Sequence, residues 1–274
     1  MSLFYKRIFS RHMASIILIW LSSANFVLAA DESKGGDWEI LFAPYLWGVS
    51  LDGKTAIGLL PPVDIDASFS DILDAANIAG SLHTEFRKGK WTFTIDPTYL
   101  DLEIVTPTQN IPVPPPDGTD VSGKIKIKQW FVEGWASYQI AQGWELLGGV
   151  RWQSQEIKPS IQGIDLGLGL NPKVDEDWAD LFAGVRWRKA LGQKWMVALR
   201  GDLAIAGDSE GVSPDLLVLF NRRFGKSMAL NLGYRYFENE YKNENGSPAY
   251  TWDIKMSGPI VGYTWQFGNV SWPR

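Results

Sequence analysis

The chain has 274 residues, 45% of them apolar, with 26 basic against 31 acidic side chains and no cysteine. The acidic balance argues against a nucleic-acid partner, whose phosphates need a basic surface. The lack of thiols excludes disulfides, thiolate zinc sites and cysteine nucleophiles.

At the N-terminus, Lys6, Arg7 and Arg11 precede the apolar run Ile16–Leu21, and Val27-Leu28-Ala29 places small residues at the −3 and −1 positions of a cleavage site. This pattern predicts a Sec-type signal peptide over residues 1–29, cleaved on export, and one mature domain over 30–274. Without Lys6, Arg7 and Arg11 the count is 23 basic against 31 acidic residues, a net charge of −8. No mature stretch reaches the ~18 consecutive apolar residues of a transmembrane helix. Yet of the 14 tryptophans only Trp20 falls in the leader. Tryptophan favours the membrane–water interface, and a membrane protein without spanning helices must be a closed barrel, because every backbone polar group has to be paired inside lipid.

The remaining sequence divides into about ten strand-like runs, near 38–51, 78–88, 91–105, 123–140, 143–156, 176–190, 193–206, 214–224, 227–241 and 250–267. Trp91-Thr92-Phe93-Thr94-Ile95-Asp96 and Leu230-Asn231-Leu232-Gly233-Tyr234-Arg235-Tyr236 alternate with the period of two that strands impose. The connections sort strictly. Tight ones (Arg87–Lys90, Ala141–Gly143, Leu191–Lys194, Phe224–Lys226) alternate with longer ones near 52–77, the Pro-rich stretch with Pro112, Pro114, Pro115 and Pro116, 157–175, 207–213 and 242–249. Short/long alternation with an even strand number is the pattern of bacterial outer-membrane barrels and not of soluble sandwiches. The expected fold is therefore all-β: a closed antiparallel transmembrane β-barrel of about ten strands, with eight or twelve also compatible.

Aromatic residues should form two girdles. Trp38, Trp91, Tyr138, Trp144, Trp187, Trp195 and Trp265 are expected at the tight-turn end, and Trp47, Tyr99, Trp130, Trp152, Trp178, Tyr236 and Trp252 at the long-loop end. Three tight turns are basic (Arg87, Lys88, Lys90; Arg188, Lys189, Lys194; Arg222, Arg223, Lys226), whereas the long loops carry Asp64, Asp66, Asp71, Asp74, Asp117, Asp120, Asp208 and Glu210. Basic turns suit anionic headgroups of a periplasmic leaflet.

In the first long loop, Phe69, Ile72, Leu73 and Ala76 recur at helical spacing behind a Ser68/Asp71 capping pair. A short amphipathic helix over about 68–77 is expected to fold over the outer mouth, with Trp47, Tyr99 and Trp130 as neighbours.

Inward positions should carry a structural ion-pair network of Arg151, Arg186, Arg200 and Arg235 with Asp96, Glu133, Asp180 and Asp202, with further inward charges at Glu85, Arg87 and Arg188. Buried charges must pair, and a barrel this narrow has room for little else. His83 is the one histidine of the mature chain. As a general base it would suggest a Ser-His or Asp-His hydrolase, but it lies midway along its run, so a lumen histidine held by carboxylates is the preferred reading. No P-loop, nucleophile elbow or zinc-protease spacing occurs. Gly163–Gly169 reads as a flexible loop, and Asp175, Glu176, Asp177 and Asp180 as a solvated acidic cluster in preference to a cation site.

The first run reads Trp38-Glu39-Ile40-Leu41-Phe42-Ala43-Pro44-Tyr45-Leu46-Trp47-Gly48, followed by Ser68–Leu73, Lys90-Trp91, Asp96, Tyr99 and Gly258-Pro259. This set resembles a largely uncharacterised family of proteobacterial outer-membrane β-barrels with a P-Y-x-W first strand. The resemblance implies an integral protein of the bacterial cell outer membrane without an established activity. Tyr263-Thr264-Trp265-Gln266-Phe267 resembles the terminal signature that outer-membrane assembly machinery recognises, although Gly268–Arg274 follow the Phe. The expected function is non-enzymatic: a structural scaffold or a narrow small-solute pore with an ion-paired polar lumen. The alternatives are an outer-membrane enzyme acting on lipid A or peptides, or a surface adhesin or receptor working through the long loops. Expected partners are outer-membrane lipid, including lipopolysaccharide, and the assembly machinery, with no cofactor.

Overall fold

The computed structural model describes residues 38–58, 62–111, 119–162, 173–225 and 227–268. The leader 1–29, the Pro-rich stretch 112–118, Gly163–Gly169 and the tail 269–274 lie outside these residues. Among the described residues no helix is long and apolar enough to cross a membrane.

Twelve strands form one antiparallel sheet: β1 (Glu39–Trp47), β2 (Ser50–Ile57), β3 (Val63–Ala67), β4 (Ala76–Lys88), β5 (Trp91–Ile111), β6 (Thr119–Ala141), β7 (Trp144–Gln162), β8 (Val174–Leu191), β9 (Trp195–Gly207), β10 (Pro214–Phe224), β11 (Met228–Asn243) and β12 (Tyr250–Phe267). A helix, α1 (Phe69–Ala75), lies between β3 and β4. Neighbours follow chain order from β4 to β12, and β1 pairs with both β4 and β12 (Ile40↔Phe267, Trp47↔Ile260), which closes a barrel of ten strands. β2 continues β1 along the same β12 (Ser50↔Ser257), interrupted only at Gly48 and Val49, and β3 turns back on β2 as a hairpin at the rim. The tight turns are closed by glycines in the left-handed region. At Gly143, φ is 76° and an added Cβ would meet the Arg188 carbonyl oxygen at 2.3 Å, so the turn tolerates no side chain there.

The polarity of the wall inverts along the strands. On β6 the lower outward positions are Trp130, Val132, Gly134, Ala136, Tyr138 and Ile140, and the inward ones are Glu133, Trp135 and Ser137. Higher up, the outward positions become Lys124, Lys126 and Lys128 and the inward ones Ile125, Ile127 and Phe131. β11 does the same: Leu230, Leu232, Tyr234 and Tyr236 face out around Asn231 and Arg235, then Glu238, Glu240 and Lys242 face out around Phe237 and Tyr241. The lower half is thus built like a membrane barrel and the upper half like a water-soluble one. Outward Tyr99 and Trp130, cross-strand partners with rings 4.7 Å apart, sit at the boundary, with Trp152 on the adjoining β7. From Trp91 to Tyr99 the apolar face of β5 rises ~26 Å at ~3.3 Å per residue, or ~20 Å at a tilt of ~40°, close to the ~25 Å band of an outer-membrane barrel.

Above the boundary, ion pairs cover the outer face, including Lys124–Glu103 at 3.0 Å, Lys126–Glu103 at 3.1 Å and Lys158–Glu156 at 2.7 Å. The inside of this half is an apolar plug of Leu102, Phe131, Trp178, Phe237, Tyr241, Tyr250, Trp252 and Ile254. Trp178 stacks on Tyr241 at 4.5 Å and donates to Asn239 Oδ1 at 3.1 Å.

This corrects the expected outer girdle. Trp178 and Trp252 are 1% and 2% exposed and face inward, and Trp47 also faces inward, its ring 5.1 Å from the Arg235 guanidinium. All three hold inward positions of the alternation, and above the boundary the inward face is the apolar one.

The placement of α1 is also a correction. The β1–β4 ladder stops at Tyr45↔Ser81; above it β4 follows β5 alone and β3 follows β2, so the wall divides. α1 closes this division instead of lying across the mouth. Only Ile72 is buried, within the plug, while Phe69 and Leu73 are 42% and 60% exposed. The Phe69 ring packs over Gly48 beside outward-facing Pro259, where an added Cβ would meet both at 3.1–3.2 Å. Seven residues of helix span only about 10 Å, too little to cross a barrel mouth. The Ser68 capping box, with Ser68 N–H donating to Asp71 at 2.9 Å, fixes where the helix starts.

Candidate functional site

Inward positions of the membrane half hold two charged clusters. The upper one is a belt across the lumen. Glu133 on β6 and Arg151 on β7 are cross-strand partners, and Arg151 donates to Glu133 Oε1 through Nε at 3.0 Å and Nη2 at 2.8 Å. Arg151 Nη2 also reaches past β8 to Asp202 on β9 at 2.8 Å and to Asp215 on β10 at 3.1 Å. Arg200 donates to Asp202 at 2.7 Å and to Glu133 at 3.0 Å, and Arg235 donates to Asp215 at 3.0 Å and to Glu133 at 2.6 Å. Three arginines meet three carboxylates, so the belt is neutral, and Glu133, Arg151 and Asp215 are wholly buried.

Aromatic rings complete the belt. The Arg151 guanidinium lies 4.6 Å from the Phe237 ring and 4.8 Å from Phe182, and Arg200 lies 4.2 Å from Trp135. Cation–π contact gives the remaining guanidinium faces a partner where no acceptor is available. Trp135 fits because its neighbour is Gly149, where a Cβ would meet Trp135 Cβ at 2.5 Å.

The lower cluster is nearer the tight turns. Glu85 on β4 accepts from Arg87 and Arg186; Glu145 on β7 accepts from Arg186, Arg188 and, at 2.7 Å, Ser137. His83 links the clusters: Nδ1 is 2.7 Å from Asp96 and Nε2 3.1 Å from Glu85, and Asp96 also accepts from the Tyr45 hydroxyl at 2.8 Å. Only a ring carrying both N–H groups satisfies both carboxylates. Both nitrogens of this histidine are engaged by carboxylates, and among the described residues neither is paired with a hydroxyl.

Arg151, Arg200, Arg235, Glu133 and Asp202 come together in the belt, and Arg186 belongs to the lower cluster. Two expected members stand elsewhere. Asp180, although a cross-strand partner of Arg151, accepts from Ser209 N–H at 2.8 Å and Ser209 Oγ at 2.6 Å. The β9–β10 connection needs an acceptor there, and Glu133 already holds Arg151. Asp96 sits opposite like-charged Glu133 and turns away to His83 and Tyr45. Asp215 and Glu145 are network members that the sequence does not announce, and Tyr45, conspicuous only as the Tyr of the P-Y-x-W run, is another. Their inward parity was the available signal, but Asp215 and Glu145 begin their strands beside connections, where alternation has barely started. In the acidic cluster, Asp175 pairs with Lys173 at 3.1 Å and Glu176 accepts from Tyr241 at 3.0 Å and from Asn243.

The fold and its lumen define a closed, ten-stranded, membrane-type β-barrel whose interior is filled by ion pairs below and aromatic side chains above. No family model and no curated protein matches the chain. Among solved structures, it is similar to the translocator domain of autotransporter NalP from Neisseria meningitidis at 12% identity and a TM-score of 0.41, covering 94% of this chain and 98% of the other. It is also similar to Neisserial surface protein A (10%, 0.32, covering 85% and 100%) and to the P. putida toluene transporter TodX (12%, 0.32, covering 87% and 92%).

Proposed function

We propose that this protein is a non-enzymatic, non-conducting barrel of the bacterial outer membrane, a scaffold that anchors an extended, charged rim outside the lipid. The belt carries this reading. Six charged side chains are mutually compensated across the lumen, and aromatic and aliphatic side chains crowd the interior above them around the buried Gln153 and Gln155. An ion entering such a plug would lose most of its hydration. The outward apolar band and its aromatic boundary support membrane insertion, and a closed barrel is the only strand architecture that lipid accepts. Lipid, including lipopolysaccharide at the outer boundary, and the assembly machinery are the corresponding partners. The test is planar-bilayer recording of the refolded protein: a closed trace is expected, and steady single-channel steps would replace the scaffold reading with that of a pore.

A further inference from the structure

A cavity of about 110 Å³ lies between the belt and the tight turns. Its two sides differ in kind. Ala43, Leu217, Leu219 and Ile260 make one side apolar, while the other carries His83, Arg87 and Arg188 together with the carboxylates Glu85 and Asp96. Arg200 and Arg235 of the belt close it above. Toward the tight turns the side chains of Arg87 and Arg188 remain 14% and 13% exposed, so the cavity has a blind end and an accessible one. A blind cavity cannot conduct, but it can hold a ligand.

The charge count leaves a role open. Arg87, Arg186 and Arg188 face two carboxylates, Glu85 and Glu145, while Asp96 is taken by His83 and Tyr45. Arg188 Nη1 is buried without a hydrogen-bond partner, its nearest carboxylate oxygen being Glu85 Oε2 at 3.9 Å. Buried donors are rarely left unmet, and a carboxylate is the planar acceptor a guanidinium fits best. The apolar side would leave a purely inorganic anion half unsolvated, so the occupant needs a carbon body. The size limits that body, since a cavity of about 150 Å³ holds benzene. Lys88, Lys90, Lys189 and Lys194 stand at the same end of the barrel and would raise the local anion concentration.

We propose that this cavity binds a small organic carboxylate, its anionic end on Arg188 and Arg87 and its short apolar body against Leu217, Leu219 and Ile260. The full chain, refolded into zwitterionic nanodiscs, is titrated calorimetrically with butyrate, butyramide and inorganic phosphate. Butyrate should bind saturably, with butyramide and phosphate about tenfold weaker or less, since only butyrate matches both the guanidinium and the apolar side. Arg188→Gln should weaken butyrate by about tenfold through loss of the charge-assisted contact. Leu219→Phe fills the cavity without changing a charge and should weaken it similarly, its unfolding midpoint reporting whether the fold is kept. Absence of saturable butyrate binding, equal binding of butyramide, or butyrate binding unchanged in both variants would overturn the proposal.

Discussion

Arg151 and Glu133 hold each other through two hydrogen bonds, of 3.0 and 2.8 Å, with neither side chain exposed. Each also serves other partners, so the pair is the hub of the belt. Glu133→Gln would leave Arg151, Arg200 and Arg235 facing two carboxylates where three now stand. Breaking a buried pair by removing one partner costs ~3–5 kcal/mol, and Arg200→Leu should cost about as much. Denaturant titration of the refolded barrel should show both midpoints clearly lowered. An unchanged midpoint for either would mean that the belt is wetter than its geometry indicates.

The inversion of wall polarity makes a test within one outward face. Leu232 lies midway along the apolar band, whereas Ser154 faces outward at the Tyr99–Trp130 boundary, as the cross-strand partner of Trp130. Arginine at the bilayer midplane of a barrel costs ~2–4 kcal/mol, falling to ~0–1 near the interface. Leu232→Arg should therefore lower the unfolding free energy in liposomes by an amount in the first range, and Ser154→Arg by one in the second. Comparable losses would move the membrane boundary above Ser154.

Orientation follows from the same boundary and from the basic tight turns. The chain lacks cysteine, so single labels are clean. Lys126→Cys, on the charged rim, should react with a membrane-impermeant maleimide on intact cells, and Lys189→Cys, at a tight turn, only after the outer membrane is opened. The reverse result would place the rim in the periplasm.

For α1, Ile72→Ala should destabilise by ~2–5 kcal/mol, as for other buried large-to-small changes, while Leu73→Ala should be nearly neutral. Hydrogen bonds from Ser68 hold the Asp71 carboxyl below its ordinary value of 3.8. A carboxyl lowered in the folded state contributes stability that is complete above its unfolded value and lost as pH falls through the folded one. Amide exchange at Ile72 should accelerate as acid reaches that window, and Asp71→Asn should abolish the dependence. Exchange that does not respond to acid would show that the cap does not hold the helix.

Parity, read from runs such as Trp91–Asp96 and Leu230–Tyr236, marked the strands and the inward arginines, because a strand can place its side chains on only two faces. The tight turns and sorted loop lengths pointed to a closed antiparallel barrel of about ten strands, a number that the β1–β4 and β1–β12 pairings fixed, and the Ser68/Asp71 pair with Ile72 marked the helix. Parity does not say which face is apolar at a given height. That depends on where the lipid ends, and only the assembled barrel shows it, turning Trp178 and Trp252 inward against the girdle expected from their type. The choice of partners was likewise tertiary. Arg151 and Asp180 are neighbours in the sheet, yet Arg151 reaches past β8 to Asp202 on β9 and Asp215 on β10, Arg235 on β11 bridges the lumen to Glu133 on β6, and Asp180 goes to Ser209. Long guanidinium side chains bridge a barrel's interior, so their pairing is fixed by its diameter and not by distance along the chain.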